Sequence, residues 1–402
     1  MMRSMFSGVA GLRAHQTMMD VVGNNIANVN TAGYKASEVT FQEALTQVMR
    51  GPGVNVNPLQ LGLGVQVAGI DPVFTQGASQ VTGRATDLAI QGDGFFVIQH
   101  GTGQIYTRAG SFNFDASGDL ATTDGGTVMG WMADAAGKVD PNRGITPITI
   151  PLGQVLPSKT TTTVEMGGNV ASDAAVGATV NKSISIYDSV GAAHTLAITF
   201  TKTGTNAWGA AAKIDGSAVT LTPAALTFGT NGLLTSAGTL AVSGFTPLGA
   251  DPMTFNIQLA GPQPLVQFGG GSTIELLSQD GMAIGTLQGV KVSGDGTITG
   301  QFSNGLTAVM AEVATATFAN PAGLLRIGDS DFTSSVASGL ALVGAPGTSS
   351  RGSLSPGALE MSNVDLAQEF TNMIIAERGF QANSKVITTS DDMLNDLVSI
   401  KR

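Results

Sequence analysis

The chain has 402 residues, room for two or three domains of about 150 residues, each with a core of its own. Lys and Arg total 19 against 29 Asp and Glu, a formal charge of -10, which speaks against a surface built to gather nucleic acid or anionic lipid. Charged residues are 12% of the chain and cysteine is absent. Disulfides, thiolate nucleophiles and Cys-bound zinc are therefore excluded, and the surface is left to small neutral side chains or to other proteins.

At the N-terminus Met5, Leu12, Met19 and Ile26 recur every seventh residue, with Val9, Val22 and Val29 beside them. The pattern predicts a helix over about residues 3–29 with one apolar stripe. Arg13, His15 and Gln16 interrupt the segment, so it does not read as a Sec-type signal core. Residues 30–35, Asn-Thr-Ala-Gly-Tyr-Lys, predict its stop, because Gly33 can take the left-handed conformation that closes a helix. Residues 51–64, with two Pro and four Gly, read as a connector.

The signal then changes to period two. Leu196, Ile198 and Phe200 alternate with Thr195, Thr199 and Thr201, and Phe255, Ile257 and Leu259 with Thr254, Asn256 and Gln258, as half-buried strands require. Turn signals at Gly92–Gly94, Ser117–Asp119, Asp124–Gly126 and Gly294–Gly296 punctuate the interior, which reads as all β. Candidate domain edges lie near Pro147–Pro157 and Gly281–Gly289, and residues 344–357 read as a second connector.

Leu366, Phe370, Met373, Phe380, Ile387, Leu394 and Leu397, flanked by Val386, Met393 and Ile400, then form a heptad-like seam that only a helix explains. Ser362, Asn363 or Asp365 could cap its start. Glu369 in the first turns and Lys401 and Arg402 at the end suit the helix dipole. Gly379 within it costs up to about 1 kcal/mol relative to Ala, which predicts a close approach there. The two helices stand at opposite chain ends, and they most simply meet each other. Each carries one narrow stripe, too little to offset the ordering entropy of so long a pair. The expectation is that both ends order on assembly, with their apolar partners mainly in other copies of the chain.

Catalytic chemistry has little to work with. His15, His100 and His194 are the only histidines and sit on separate segments, so a histidine metal site or a triad lacks partners. Asp188 and His194 flank a predicted hairpin turn, where a carboxylate normally bonds its own backbone. Asp115–Asp124 lacks the ligand spacing and terminal Glu of an EF-hand loop and also reads as a turn. No G-x-G-x-x-G, P-loop or G-x-S-x-G pattern occurs. The reading is a non-enzyme with no catalytic, metal or cofactor-binding residues and no cofactor.

Four segments carry a resemblance. N-N-I-A-N-V-N-T-A-G-Y-K at residues 24–35 resembles the signature opening bacterial flagellar rod and hook axial proteins. It is joined in order by G-D-G-F-F-V-I at 92–98, Y-T-R-A-G-S-F at 106–112, and N-V-D-L-A-Q-E-F-T-N-M-I-I-A-E-R-G-F-Q-A-N-S-K at 363–385. Within that family Y-D-S-V-G-A-A-H-T-L at 187–196 is similar to an outer-domain hairpin of the hook branch. The motif residues are Asn24, Asn25, Asn28, Asn30, Thr31, Gly33, Tyr34 and Lys35, with Gly92, Asp93, Gly94, Phe95 and Phe96.

The resemblance implies a mainly β protein with α-helical termini and nested domains. The terminal helices pair as a coiled coil, residues 1–33 with 359–402, followed by connectors at 34–70 and 344–358. A discontinuous middle β domain spans 71–146 and 286–343, and an inserted outer β domain spans 147–285. It further implies a structural subunit of a curved, flexible extracellular tube that transmits torque from rod to filament. Such a subunit leaves through the flagellar type III export apparatus and polymerises with itself. Its other implied partners are a hook cap protein, a distal rod protein and hook–filament junction proteins, with no nucleic acid and no membrane insertion. In the family the assembly residues lie on the terminal helices, here Met5, Leu12, Met19, Val22 and Ile26 and the seven seam positions from Leu366 to Leu397. The alternatives are a distal-rod or hook-like axial protein, or a secreted β-rich adhesin.

Overall fold

The computed structural model describes residues 2–51, 57–134, 137–151 and 153–400, all but Leu397 and Ile400 with their side chains. It forms two compact units. The first gathers residues 1–151, 290–300 and 308–402, and the second residues 152–289 with 301–307. The chain is mostly strand, with a long helix at each end: α1 (Met2–Ala27) and α2 (Leu366–Ile400). Lys401 and Arg402, expected at the end of α2, lie outside the described residues.

In the first unit α1 and α2 run antiparallel. Gly8 lies against Ile387, Gly11 against Asn383 and His15 against Gly379, and Ser4 Oγ is 3.5 Å from Ser390 Oγ. After α1 comes a β-ribbon, Ser37–Glu43 paired antiparallel with Val65–Pro72, continued by Thr46–Arg50 with Leu59–Gly62. Much of the stretch read as connector, 34–70, is therefore strand. In sequence its Gly and Pro crowd into residues 51–64, while Val39, Phe41 and Ile70 keep the β-branched and aromatic content that favours pairing. The later stretch, 344–358, also pairs: Ser353–Pro356 with Leu88–Gln91, next to Ala358–Glu360 with Ser79–Val81.

The β body of this unit orders its strands Thr127–Met132, Phe95–His100, Gly103–Thr107, Asp331–Thr333 and Leu325–Gly328, each antiparallel to the next. Its core centres on Phe95, whose ring meets those of Phe74, Phe318 and Phe332 at 5.4–5.9 Å. Edge-on contact at that separation suits the aromatic quadrupole.

The second unit has its own ten-stranded sheet and its own core around Phe200, Trp208 and Ile257. The predicted alternation appears as burial: Leu196, Ile198, Phe200, Phe255, Ile257 and Leu259 are inside, while Thr195, Thr254, Asn256 and Gln258 are exposed. Asp188 closes its turn as predicted by accepting from the amides of Val190 and Ala192. In the first unit Asp115 does the same for Ser117 and Asp119, at 2.8 Å each.

Candidate assembly site

The helix pair and its anchorage on the β body are where the sequence motifs meet. α2 begins at a true N-cap: Asp365 Oδ1 accepts from the amides of Ala367 and Gln368 at 2.8 and 3.3 Å, satisfying donors the first turn leaves free. Asn363 serves elsewhere. Its carboxamide donates to Val73 O and accepts from the amide of Ala36, stitching the entry of α2 to both strands of the ribbon at its base.

The seam between the helices is made of small and polar residues. Gly8, Gly11 and Ala14 are buried on α1, and Ala376 and Ser390 on α2. A Cβ at Gly379 would stand 2.5 Å from the His15 ring, and one at Gly11 2.6 Å from the Asn383 carboxamide. The close approach predicted at Gly379 is therefore that of His15. Without side chains at these glycines the two backbones draw together, and large apolar residues are displaced to the flanks of the seam.

The predicted assembly residues fall accordingly. Val22 is buried, while Met5, Leu12, Met19 and Ile26 are half-buried. On α2, Met373, Phe380, Ile387 and Leu394 are half-buried, Leu366 and Phe370 are exposed, and the Leu397 side chain lies outside the description. A further apolar set stays open to solvent: Phe6 is 68% exposed, Phe370 52% and Ile374 58%. Heptad reading found the large residues but missed the contact line, because glycine and serine carry no hydropathy signal.

Beyond α1 the motif chain turns back on itself. Asn28 donates to Asn24 O at 2.9 Å, and Thr31 donates to Asn28 Oδ1. Asn30 is exposed. Gly33 has φ +70, and its amide donates to Glu360 O at 2.7 Å. A Cβ there would strike the backbone of Ala109, so both the turn and the close approach require glycine. Tyr34 is buried, donates its hydroxyl to Asn25 Oδ1 at 3.1 Å and accepts from Asn24. The Arg326 guanidinium lies 4.9 Å over its ring, a cation–π contact.

Lys35 is buried and drives its ammonium into Glu360 Oε1 at 2.6 Å and Thr75 O at 2.8 Å. Burial pushes its pKa down, against the hydrogen bond and charge of Glu360, which raise it. The other oxygen of Glu360 takes Arg108 Nη1 at 3.2 Å. Arg108 also donates to Gly92 O at 2.9 Å and lies 5.3 Å over the Phe95 ring. Gly92 and Gly94 hold φ of +99 and +136, Asp93 O accepts from the Gly352 amide, and Phe96 packs edge-on to Phe112 at 5.1 Å. Lys35 and Arg108, from two of the motifs, thus meet on one buried carboxylate, and Gly92 of a third is tied to it through Arg108. Glu360 is the centre of this junction; Arg108 lies within the Y-T-R-A-G-S-F motif, but no spacing rule singles out a lone Glu hundreds of residues from its partners.

Among the described residues no group of three His, Asp or Glu side chains could hold a metal ion, and no helix is long and apolar enough to cross a membrane. The junction fixes how two helices leave a β body, which is a task of assembly.

Comparison with known proteins agrees along the whole chain. Family models match for the flagella basal body rod protein at residues 5–35, the flagellar hook protein FlgE/F/G D1 domain at 89–172, the flagellar basal body protein FlaE D2 domain at 156–282, and the flagellar basal body rod FlgEFG protein C-terminal region at 355–400. The flagellar hook protein FlgE of Treponema pallidum is 40% identical, with both chains covered in full. That of Salmonella typhimurium is 35% identical over 99% of this chain and all of the relative. The crystal structure of Helicobacter pylori flagellar hook protein FlgE2 shares the fold, with a TM-score of 0.55 over 70% of this chain and 100% of that one, at 14% identity. With full-length relatives at such identity and the motif junction intact, the chain belongs to the flagellar hook protein FlgE family.

Proposed function

We propose that this chain builds the tube of the flagellar hook by packing its terminal helices, already paired within one subunit, against those of neighbouring copies. As a member of its family it is a structural subunit of the extracellular flagellar hook and not an enzyme, and it polymerises with itself. The observation that carries the packing is the seam: small residues close it, so Phe6, Phe370, Ile374 and Met393 remain uncovered on the helices. Large apolar side chains left uncovered on a subunit mark a surface that another protein covers. In a head-to-tail assembly that protein is the next copy.

The proposed division of labour follows the nested domains. Residues 1–33 and 359–402 line the tube, 34–70 and 344–358 link them outward, 71–146 and 286–343 form the middle shell, and 147–285 the outer surface. Few charges on that surface leave few directional ion pairs to break, so outer contacts can slide as the hook bends while the helices hold. Export through the flagellar type III apparatus, and contacts with a hook cap protein, the distal rod and hook–filament junction proteins, belong to the same proposal.

The test is direct. Purified chain is polymerised and imaged by electron microscopy beside Phe370→Ser and Ile374→Ser. Curved tubes from the unaltered chain, none from the variants, and unchanged melting of the β units are the expected result. Normal tubes from both variants would remove the helices from the assembly role.

A further inference from the structure

The seam leaves a second feature unused. Where α1, the start of the ribbon and the first turns of α2 meet, a cavity of about 260 Å3 opens. Its walls are the aliphatic side chains of Met18, Val21, Val39 and Val73, and two carboxylates, Glu38 and Glu369, face it. Glu369 is more than nine-tenths buried. Its Oε1 accepts from Asn25 Nδ2 at 3.2 Å, while its Oε2 is buried with no hydrogen-bond partner. An orphaned buried carboxylate oxygen is a costly thing to keep unless something arrives to satisfy it.

We propose that this cavity is a socket for a lysine or arginine side chain from a terminal helix of an adjacent copy, with the aliphatic stem along the walls and the cationic head on Glu369 and Glu38. The inference rests on the assembly reading above and names one contact of that assembly. The wall chemistry selects the occupant. Lysine and arginine bury a hydrocarbon stem and present a charge at its end, whereas a divalent cation asks for several oxygen ligands. Charge complementarity identifies the donor as a second copy: Arg3, Arg13, Arg378 and Lys385 stand exposed on α1 and α2, and none forms an ion pair with a described residue. In the lone subunit burial, with the charges of Glu38 and Asp365 nearby, pushes the pKa of Glu369 up despite the Asn25 hydrogen bond. An entering cation offsets that burden.

The test separates socket from scaffold. Glu369→Gln keeps the Asn25 contact and removes the charge, and Glu38→Gln removes the second charge at an exposed position. For each, the critical concentration for tube formation and the melting of the monomer are measured beside the unaltered chain. The socket predicts that Glu369→Gln raises the critical concentration about tenfold, the loss expected of one buried charge-assisted contact, with the monomer as stable as before or more so. Glu38→Gln shifts it in the same direction by less. Unchanged assembly of both variants overturns the socket, and so does a Glu369→Gln defect that only tracks a loss of monomer stability. If the unaltered chain forms no tubes at all, it is the assembly reading that fails, and the socket falls with it.

Discussion

Glu360 holds Lys35 on one oxygen and Arg108 on the other, with all three side chains essentially closed to solvent. Removing one member of such a set leaves buried charge without its full compensation, a loss of about 3–5 kcal/mol. Glu360→Gln should therefore destabilise the first unit by that order in urea melts, and Lys35→Met should do the same. A change below about 1 kcal/mol in both would show that water reaches the junction. Asp331 gives a pH signature in the same unit. Burial, with help from the charges of Asp124 and Asp329, lifts its pKa to about 6 against the Thr107 hydrogen bond and the His100 charge, which lower it. The folded state thus keeps a proton that the unfolded chain, with an ordinary pKa of about 3.9, has released. Stability from this group is fully present below about pH 4 and is lost as pH rises through about 6. Asp331→Asn should flatten that slope and stabilise the unit at pH 7 by on the order of 1 kcal/mol, read from melts at stepped pH.

At the scale of elements, the two helices show what a sequence carries and what it hides. Both were legible, since Met5, Leu12, Met19 and Ile26, and Leu366 through Leu394, keep helical spacing, and Asp365 has the chemistry of the cap it forms. The pairing line was not legible. Gly8, Gly11 and Ser390 give no periodic signal, and only Gly379, as a misfit in a helix, pointed to it. The ribbon was obscured for a related reason: glycine and proline within residues 51–64 outweighed a pattern of strands that depends on pairing across about thirty residues. At the junction the motif residues stood out, Arg108 among them, but Glu360 did not, because a buried ion pair is defined by a meeting in space. The seam gives a prediction of its own. Gly379→Val drives a branched side chain into His15, and overpacking of this kind costs about 1–3 kcal/mol. Amide exchange should rise along both α1 and α2 while the second unit keeps its protection. Unchanged exchange in the helices would mean that His15 simply swings aside.

For the whole molecule, the two units should answer to pH in different windows, because different groups are perturbed in each. In the second unit His194 sits between Asp215, 2.6 Å from Nδ1, and Asp188, 3.2 Å from Nε2. Burial works against its charge, but hydrogen bonds and attraction from the two carboxylates overcome it and raise its pKa. That stability is fully present below about pH 6.5, the unfolded value, and is lost as pH rises through the higher folded one. The same carboxylates, and Asp280 with its bonds from Thr162, Thr163 and Lys159, are held below the ordinary range, Asp188 and Asp280 despite their burial. They contribute stability above about pH 4 that disappears on acidification. The segment 157–284 contains the entire ten-stranded sheet and its core, so it should fold alone and melt as it does within the full chain. Calorimetry of that fragment should show its transition falling at both ends of the pH range, on acidification below about 4 and as pH rises past the ordinary imidazole value of about 6.5. His194→Gln should remove the alkaline fall and leave the acid one. A fragment that fails to melt cooperatively would show that the second unit depends on the rest of the chain, and the sliding surface proposed for it could not then belong to an independent body.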